Sequence, residues 1–326
     1  MQLTNFPNGI QAFPVIGASS MDVFGAGKIL FVDGDLGSDG NDGLSPQSPK
    51  VTVQSAVTAA GANSTIYVKA KAMAAGATDP GSYAENIIIP AGSSCMTIIG
   101  VGSALTQGAL PQLKVGATTT SPIITVRAAG FVIQNMTVNG IGATGGGILL
   151  DGDASTKDAF GFAAINCYLK NCKGSGAAAT GGAIYWSSTG SSWNVRIDSC
   201  DFYDCRAGIV LTGTSIDMPK SVYVENCSFG AGLKATVDCD IYGAGGSGIN
   251  GLYINKCRFN TVDVPAYATS PSAARYVYAT GCVGAMTNCT FACTGKTIGA
   301  AGDACYIPVT MRTVACYQEN AIFTRT

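Results

Sequence analysis

Histidine is absent from this chain of 326 residues. Its absence removes Ser–His–Asp and Cys–His nucleophile systems, HExxH zinc sites and most imidazole general bases. Carboxylate pairs and Lys/Arg chemistry remain. Charge is also scarce: 12% of residues are charged and the net charge is −1, about half the average globular share. There is no basic field to attract phosphates, so nucleic acid is not an expected partner. No apolar run approaches the roughly 18 residues of a membrane span, and no membrane partner is expected. The opening Met1-Gln2-Leu3-Thr4-Asn5-Phe6-Pro7 has no basic stretch followed by an apolar core. It does not read as a secretory signal.

What the chain does have is apolar surface and glycine, with 47% hydrophobic residues and 43 Gly. That is far too apolar for disorder and enough for a large core. The 13 cysteines are an odd number, so at least one cannot pair internally. Without an export signal, the expectation is a reducing compartment with most thiols free, and no cofactor. A surface so poor in charge favours association, either as a homo-oligomer or docked in a larger assembly.

Three regions follow in order. Residues 1–27 hold Phe6, Pro7, Ile10 and Phe13 among Gly and Asn, with no sustained periodicity. They read either as an arm that docks on a partner or as an irregular lid on the chain's own core. Residues 28–94 form a lead-in and N-terminal cap. Ile29–Val32 reads as a strand, the turn-rich loop after it carries Asp33, Asp35, Asp39 and Asp42, and residues 51–60 suit a short helix. Val53, Ala56, Val57 and Ala60 share one face of that helix. The Asp33–Asp42 loop resembles a calcium loop only in composition and lacks the terminal Glu of an EF-hand, so turn chemistry is the expected role.

Residues 95–326 carry an internal repeat. Ile133-Gln134-Asn135-Met136, Ile165-Asn166-Cys167, Ile197-Asp198-Ser199-Cys200, Val224-Glu225-Asn226-Cys227, Ile254-Asn255-Lys256-Cys257 and Met286-Thr287-Asn288-Cys289 share one pattern. The steps between successive Met/Cys positions are 31, 33, 27, 30 and 32 residues. Gly interrupts nearly every ten-residue window, which excludes a helical solenoid, and leucine-rich spacing is missing. Short strands with an Asn before a Cys suit a parallel β-helix: Asn tolerates the left-handed conformation a sharp bend needs. Asn135, Asn166, Asn226 and Asn288 should stack and share amide hydrogen bonds, with Ser199 and Lys256 breaking the ladder. Cys167, Cys200, Cys227, Cys257 and Cys289 should then line the core in a row, a packing arrangement and not the compact tetrahedron of a metal site.

The stretch Val32-Asp33-Gly34, with Gly37-Ser38-Asp39-Gly40-Asn41-Asp42-Gly43, resembles the opening motif of pectate-lyase-like right-handed β-helix proteins. Thr97-Ile98-Ile99-Gly100-Val101-Gly102 and the Asn-bend strands extend the resemblance over roughly residues 28–300. It implies an all-β, single-stranded right-handed parallel β-helix and says little of function, because one fold carries many roles. Leu3-Thr4-Asn5-Phe6-Pro7-Asn8-Gly9-Ile10 is similar to the start of some tailed-phage virion proteins.

Candidate chemistry rests on carboxylates and aromatics. Asp201 and Asp204 could flank a sugar as a glycosidase pair, and Arg206 or Arg258 could serve as the base of a polysaccharide lyase. Acidic residues at turns are as well explained as caps. Tyr168, Trp186, Trp193, Tyr203 and Tyr253 are candidates for an exposed sugar-stacking or interface surface. The leading expectation is a non-enzymatic virion protein, a capsid decoration or surface projection. It would be made in the host cytoplasm, form a homotrimer, and attach to the major capsid or another virion protein through the N-terminal arm. The rival is a tailspike-like depolymerase, a lyase or a glycan-binding adhesin acting on bacterial surface polysaccharide.

Overall fold

The computed structural model describes residues 27–77, 81–102, 110–153, 156–157, 159–174, 181–187, 192–212, 219–231, 239–261, 275–292, 305–306, 311–318 and 321–323. The arm residues Phe6, Pro7, Ile10 and Phe13 lie outside them. The described chain is a parallel β-helix with three walls. Each turn passes through sheet I, sheet II and sheet III in that order. Sheet I stacks Ile87–Ile89, Ile124–Val126, Ile148–Leu150, Ile184–Trp186 and Ala207–Leu211. Sheet II stacks Ile29–Val32, Thr65–Lys69, Thr97–Val101, Val132–Gln134, Ala163–Ile165, Trp193–Asp198 and Lys220–Glu225, and ends on Met311–Val314. Sheet III runs from Ser82–Ala84 through Thr137–Asn139, Tyr168–Lys170, Asp201–Tyr203 and Ser228–Ala231 to Cys316–Gln318. Two long strands, Cys239–Asn255 and Arg275–Thr287, cross the corner unbroken and belong to both sheets I and II. All these pairings are parallel, in register from turn to turn except between the two long strands, whose pairing shifts at Ala244/Ile249 and Asn250/Leu252, and the coil takes the right hand that parallel crossovers prefer. Ala321–Phe323 pairs antiparallel against Cys316–Gln318, and Lys71 makes an antiparallel bridge to Gly81.

The bend between sheets II and III is made as the Asn pattern predicts. Asn135, Asn166, Asn226 and Asn288 have φ between 52° and 54°. Ser199, Lys256 and Ala315 take the same conformation at equivalent positions despite their side chains, with φ of 55°, 53° and 51°. The amide ladder is intermittent: Asn166 Nδ2 donates to Asn135 Oδ1 at 2.6 Å. Where Ser199 and Lys256 interrupt it, the preceding residue substitutes. Asn226 Nδ2 donates to Asp198 Oδ1 at 2.8 Å, and Asn288 Nδ2 donates to Asn255 Oδ1 at 3.3 Å. Gly100 sits beneath the first of these bends. A Cβ there would lie 1.8 Å from the Asn135 carbonyl oxygen, so the turn below must pass close with no side chain.

One continuous core runs up the axis. Met136, Cys167, Cys200, Cys227, Cys257, Cys289 and Cys316 form its row behind the bends, all buried. Each of these thiols donates toward two carbonyls, one two residues back and one in the turn below. For Cys227 these are Glu225 O at 3.1 Å and Ile197 O at 3.5 Å. Cysteine is small enough for the corner and carries a weak donor for carbonyls that the bend leaves free. Burial, with the Cys167 and Cys227 thiols alongside, pushes the Cys200 thiol well above its ordinary value. Cys200 is therefore held as the neutral thiol. Phe202, Phe229, Phe259 and Phe291 form a second row, with ring centroids 4.7, 5.0 and 4.9 Å apart.

The N-terminal end is closed by α1, Val53–Ala60, which buries Val53, Ala56, Val57 and Ala60, the face read from the sequence. The Gln54 side chain acts as a missing strand: Ile88 N donates to Gln54 Oε1 at 2.7 Å at the open edge of sheet I. The loop of residues 33–50 covers the sheet II edge, with Phe31 N donating to Gly43 O at 2.8 Å. The repeat read from residue 95 onward thus continues downward through Ile29–Val32 and Thr65–Lys69 to this cap.

Candidate functional site

The acidic loop does turn chemistry. Asp39 accepts from Val51 N, Thr52 N, Thr52 Oγ1 and Ser55 Oγ at the start of α1. Asp33 accepts from Asp35 N and Leu36 N and pairs with Lys69. Among the described residues no group of acidic or thiol side chains is arranged to hold a metal.

The four nominated residues separate. Asp201 points outward on sheet III with Ser228 and Arg258 above it in the same column. Burial raises its carboxyl, while the Ser228 hydroxyl and the Arg258 guanidinium pull it back. Asp204 is a bend residue, at φ 49°, on the level above Asn171 at φ 57°. It pairs with Lys173 at 3.0 Å. Arg206 is half-buried just beyond, its carbonyl accepting from Cys239 N. Asp201 and Arg258 therefore share a column, and Asp204 belongs to a second bend ladder. That ladder was missed in sequence. Its amide links run from Asn171 to Asn139 at 2.9 Å and from Asn139 to Gln112 at 3.2 Å.

The aromatic set also divides. Trp186 is in the core, with Nε1 donating to Ser192 O, and Tyr168 faces outward but is covered. Both are corrections to the exposed surface expected of them. The sheet I strand Ile184-Tyr185-Trp186 puts its alternate residues inward, and the Lys170 ammonium lies 5.5 Å from the Tyr168 ring on the outer side of sheet III. Gln112, Thr137, Asn139 and Lys170 on that same side are buried too. Trp193, Tyr203 and Tyr253 are exposed as expected.

Sheet II carries the accessible cluster. Its outer columns hold Phe160, Trp193 and Lys220 at one margin, Arg196, Tyr223 and Tyr253 in the middle, and Asp198 and Glu225 at the other. Asn194, Ser221 and Gly251 are left-handed on consecutive levels. That kink keeps Trp193 and Lys220 on the outside while Val195 and Val222 enter the core. Tyr223 and Tyr253 stack at 5.1 Å, and the Lys220 ammonium lies 5.9 Å over the Trp193 ring. One guanidinium serves both carboxylates: Arg196 Nη2 is 2.9 Å from Asp198 and 3.4 Å from Glu225. Both carboxylates are thus bound to one cation of the same sheet. Their remaining oxygen lone pairs can accept hydrogen bonds from hydroxyls. Arg196, Glu225 and Tyr223 were missed in sequence. Aligning Arg196-Ile197-Asp198, Tyr223-Val224-Glu225 and Tyr253-Ile254-Asn255 on the repeat would have shown the columns.

No family profile and no curated protein matches the chain. Solved structures do. Escherichia coli YbhC aligns at 11% identity over 89% of this chain and 85% of its own, with a TM-score of 0.50. A carrot pectin methylesterase aligns at 15% identity over 91% and 84%, with a TM-score of 0.48. A rhamnogalacturonan lyase aligns at 13% over 83% and 75%, with a TM-score of 0.47. At such identities the likeness is one of fold, the parallel β-helix.

Proposed function

We propose that this chain is a non-enzymatic structural protein of a virion, a capsid decoration or surface projection built on a β-helix. The observation that carries the reading is how the surface carboxylates are used. Asp204 is bound to Lys173, Asp198 and Glu225 to Arg196, Asp151 to Arg127 and Lys157, and Asp33 to Lys69. These acids knit neighbouring turns and loops together, where a hydrolase would leave a pair standing free across a cleft. The covered N-terminal edge and the buried thiol row suit a rod that must persist outside a cell. Attachment through residues 1–27 and a homotrimeric state belong to this reading as the sequence expects them.

The test is quantitative mass spectrometry of purified particles. Copy numbers comparable to the major capsid protein are expected for a decoration, and a handful per particle for a projection. Absence from any particle would remove the virion role.

A second reading, glycan recognition, is favoured by one cluster: the Asp198 and Glu225 carboxylates beside Tyr223 and Tyr253. It predicts glycan binding that Glu225→Gln weakens. The cleaving form of this reading predicts loss of activity in Asp201→Asn or Asp204→Asn.

A further inference from the structure

We infer that the thiol rows of this rod are sites of covalent modification: oxidised by a peroxide, cysteines on adjacent levels join as disulfides and lock one turn to the next. Two rows carry it, and neither depends on the virion role. Cys167, Cys200, Cys227, Cys257, Cys289 and Cys316 hold one position on successive levels. Each directly precedes one of the register partners Tyr168, Asp201, Ser228, Arg258, Thr290 and Tyr317. Each also follows a left-handed bend residue, which fixes the direction of its side chain. Cys172 and Cys205 hold a second position, after the left-handed Asn171 and Asp204, with Arg206 N donating to Cys172 O at 3.1 Å.

Strands in register lie about 4.8 Å apart, inside the roughly 4.4–6.8 Å that separates the Cα atoms of a disulfide. The sulfurs lean toward the level below: Cys200 Sγ lies 3.5 Å from Ala164 O, and Cys227 Sγ lies 3.5 Å from Ile197 O. Neighbouring thiols are in contact along both rows, from Cys167 to Cys316 and from Cys172 to Cys205. Parallel side chains keep their Cβ atoms near the strand spacing, slightly beyond the roughly 4.5 Å limit of a disulfide. A bond therefore draws two levels together and stays easy to reduce.

The rows are buried, so the oxidant must be about as small as water, as hydrogen peroxide is. Burial works to raise Cys227, but the Cys200 and Cys257 thiols on either side outweigh it and hold it below its ordinary value. That favours the thiolate, the nucleophilic form. Its sulfur attacks peroxide, the O–O bond breaks, a sulfenic acid forms and water leaves. A neighbouring sulfur then attacks the sulfenic sulfur. The S–S bond forms, the S–O bond breaks, and the hydroxide leaves with the second thiol's proton as water. Two thiols are oxidised and one peroxide is reduced to two waters. Passage from a reducing to an oxidising compartment would set the lock after folding.

The experiment exposes the folded full chain to hydrogen peroxide, blocks the remaining thiols in denaturant and maps the bonds by mass spectrometry of peptides. Circular dichroism confirms folding. Bonds between neighbours within a row are expected, Cys172 to Cys205 among them, and dithiothreitol should reverse them. The melting temperature should rise by at least about 5 °C, because each bond closes a loop one turn long. In Cys257→Ser, Cys227 should bond to Cys200 alone, while Cys289 still joins Cys316. Exposed Cys95 lies off both rows, and Cys95→Ser should oxidise as the wild type does. Bonds that cross between rows, oxidation that stops at Cys95, or an unchanged melt would each overturn the inference.

Discussion

At the scale of single residues, the fold depends on whether a side chain tolerates the left-handed bend. Asn166 both adopts it and reaches Asn135, whereas Lys256 adopts it at φ 53° with nothing in its chemistry to favour it. Asn166→Ala should therefore cost about 2 kcal/mol, combining the left-handed penalty with a lost hydrogen bond. Lys256→Asn should stabilise the fold by about 1 kcal/mol. Denaturant midpoints at constant slope would measure both. Equal and small effects at the two sites would mean that the bend is held by its neighbours alone. The same reasoning explains Asp204. In sequence it looks like half of an acid pair, but its short polar side chain is there to make a turn.

At the scale of elements, α1 is held by two carboxylates with opposite pH behaviour. Burial works to raise Asp39, but donors from Ser55 and Thr52 and the backbone of Thr52 and Val51 outweigh it, and its carboxyl falls below the ordinary value. A depressed folded value means that Asp39 contributes stability above the unfolded value of about 3.9, and loses it as pH falls through the folded one. Burial raises Glu85 despite its bonds from Gln54 N and Val53 N, so its charge costs stability at neutral pH and acid relieves that cost. Hydrogen exchange in α1, corrected for intrinsic rates, should accelerate as pH drops below about 4. In Asp39→Asn it should be faster throughout and lose that acid step. An acid step that survives the substitution would assign it elsewhere.

Elements of this kind were largely legible beforehand. Period and residue type gave away the Asn bends, the Cys row and the buried face of α1, because each is a local rule repeated. What escaped was lateral. Arg196, Glu225 and Tyr223 are unremarkable in one repeat and become a cluster only when three levels are stacked. Tyr168 alternates outward as read and is nonetheless buried, which alternation cannot report.

At the scale of the whole molecule, stability is a sum over neighbouring turns, because each turn touches only the next. Phe229 stands in the middle of the phenylalanine row. Phe229→Ala should cost about 3–5 kcal/mol and split one thermal transition into two, as the stretches above and below melt separately. Calorimetry paired with limited proteolysis would show it, and a single sharp transition would mean that the rod melts as one unit. The unbroken strands Cys239–Asn255 and Arg275–Thr287 give that rod a direction. Lower down, sheets I and II meet through turns that can flex like a hinged corner. Where these strands cross, one extended strand runs from wall to wall, although its pairing with the next level shifts register at the corner. A pull on one wall is passed to the next along a strand in the C-terminal half and through a loop toward α1.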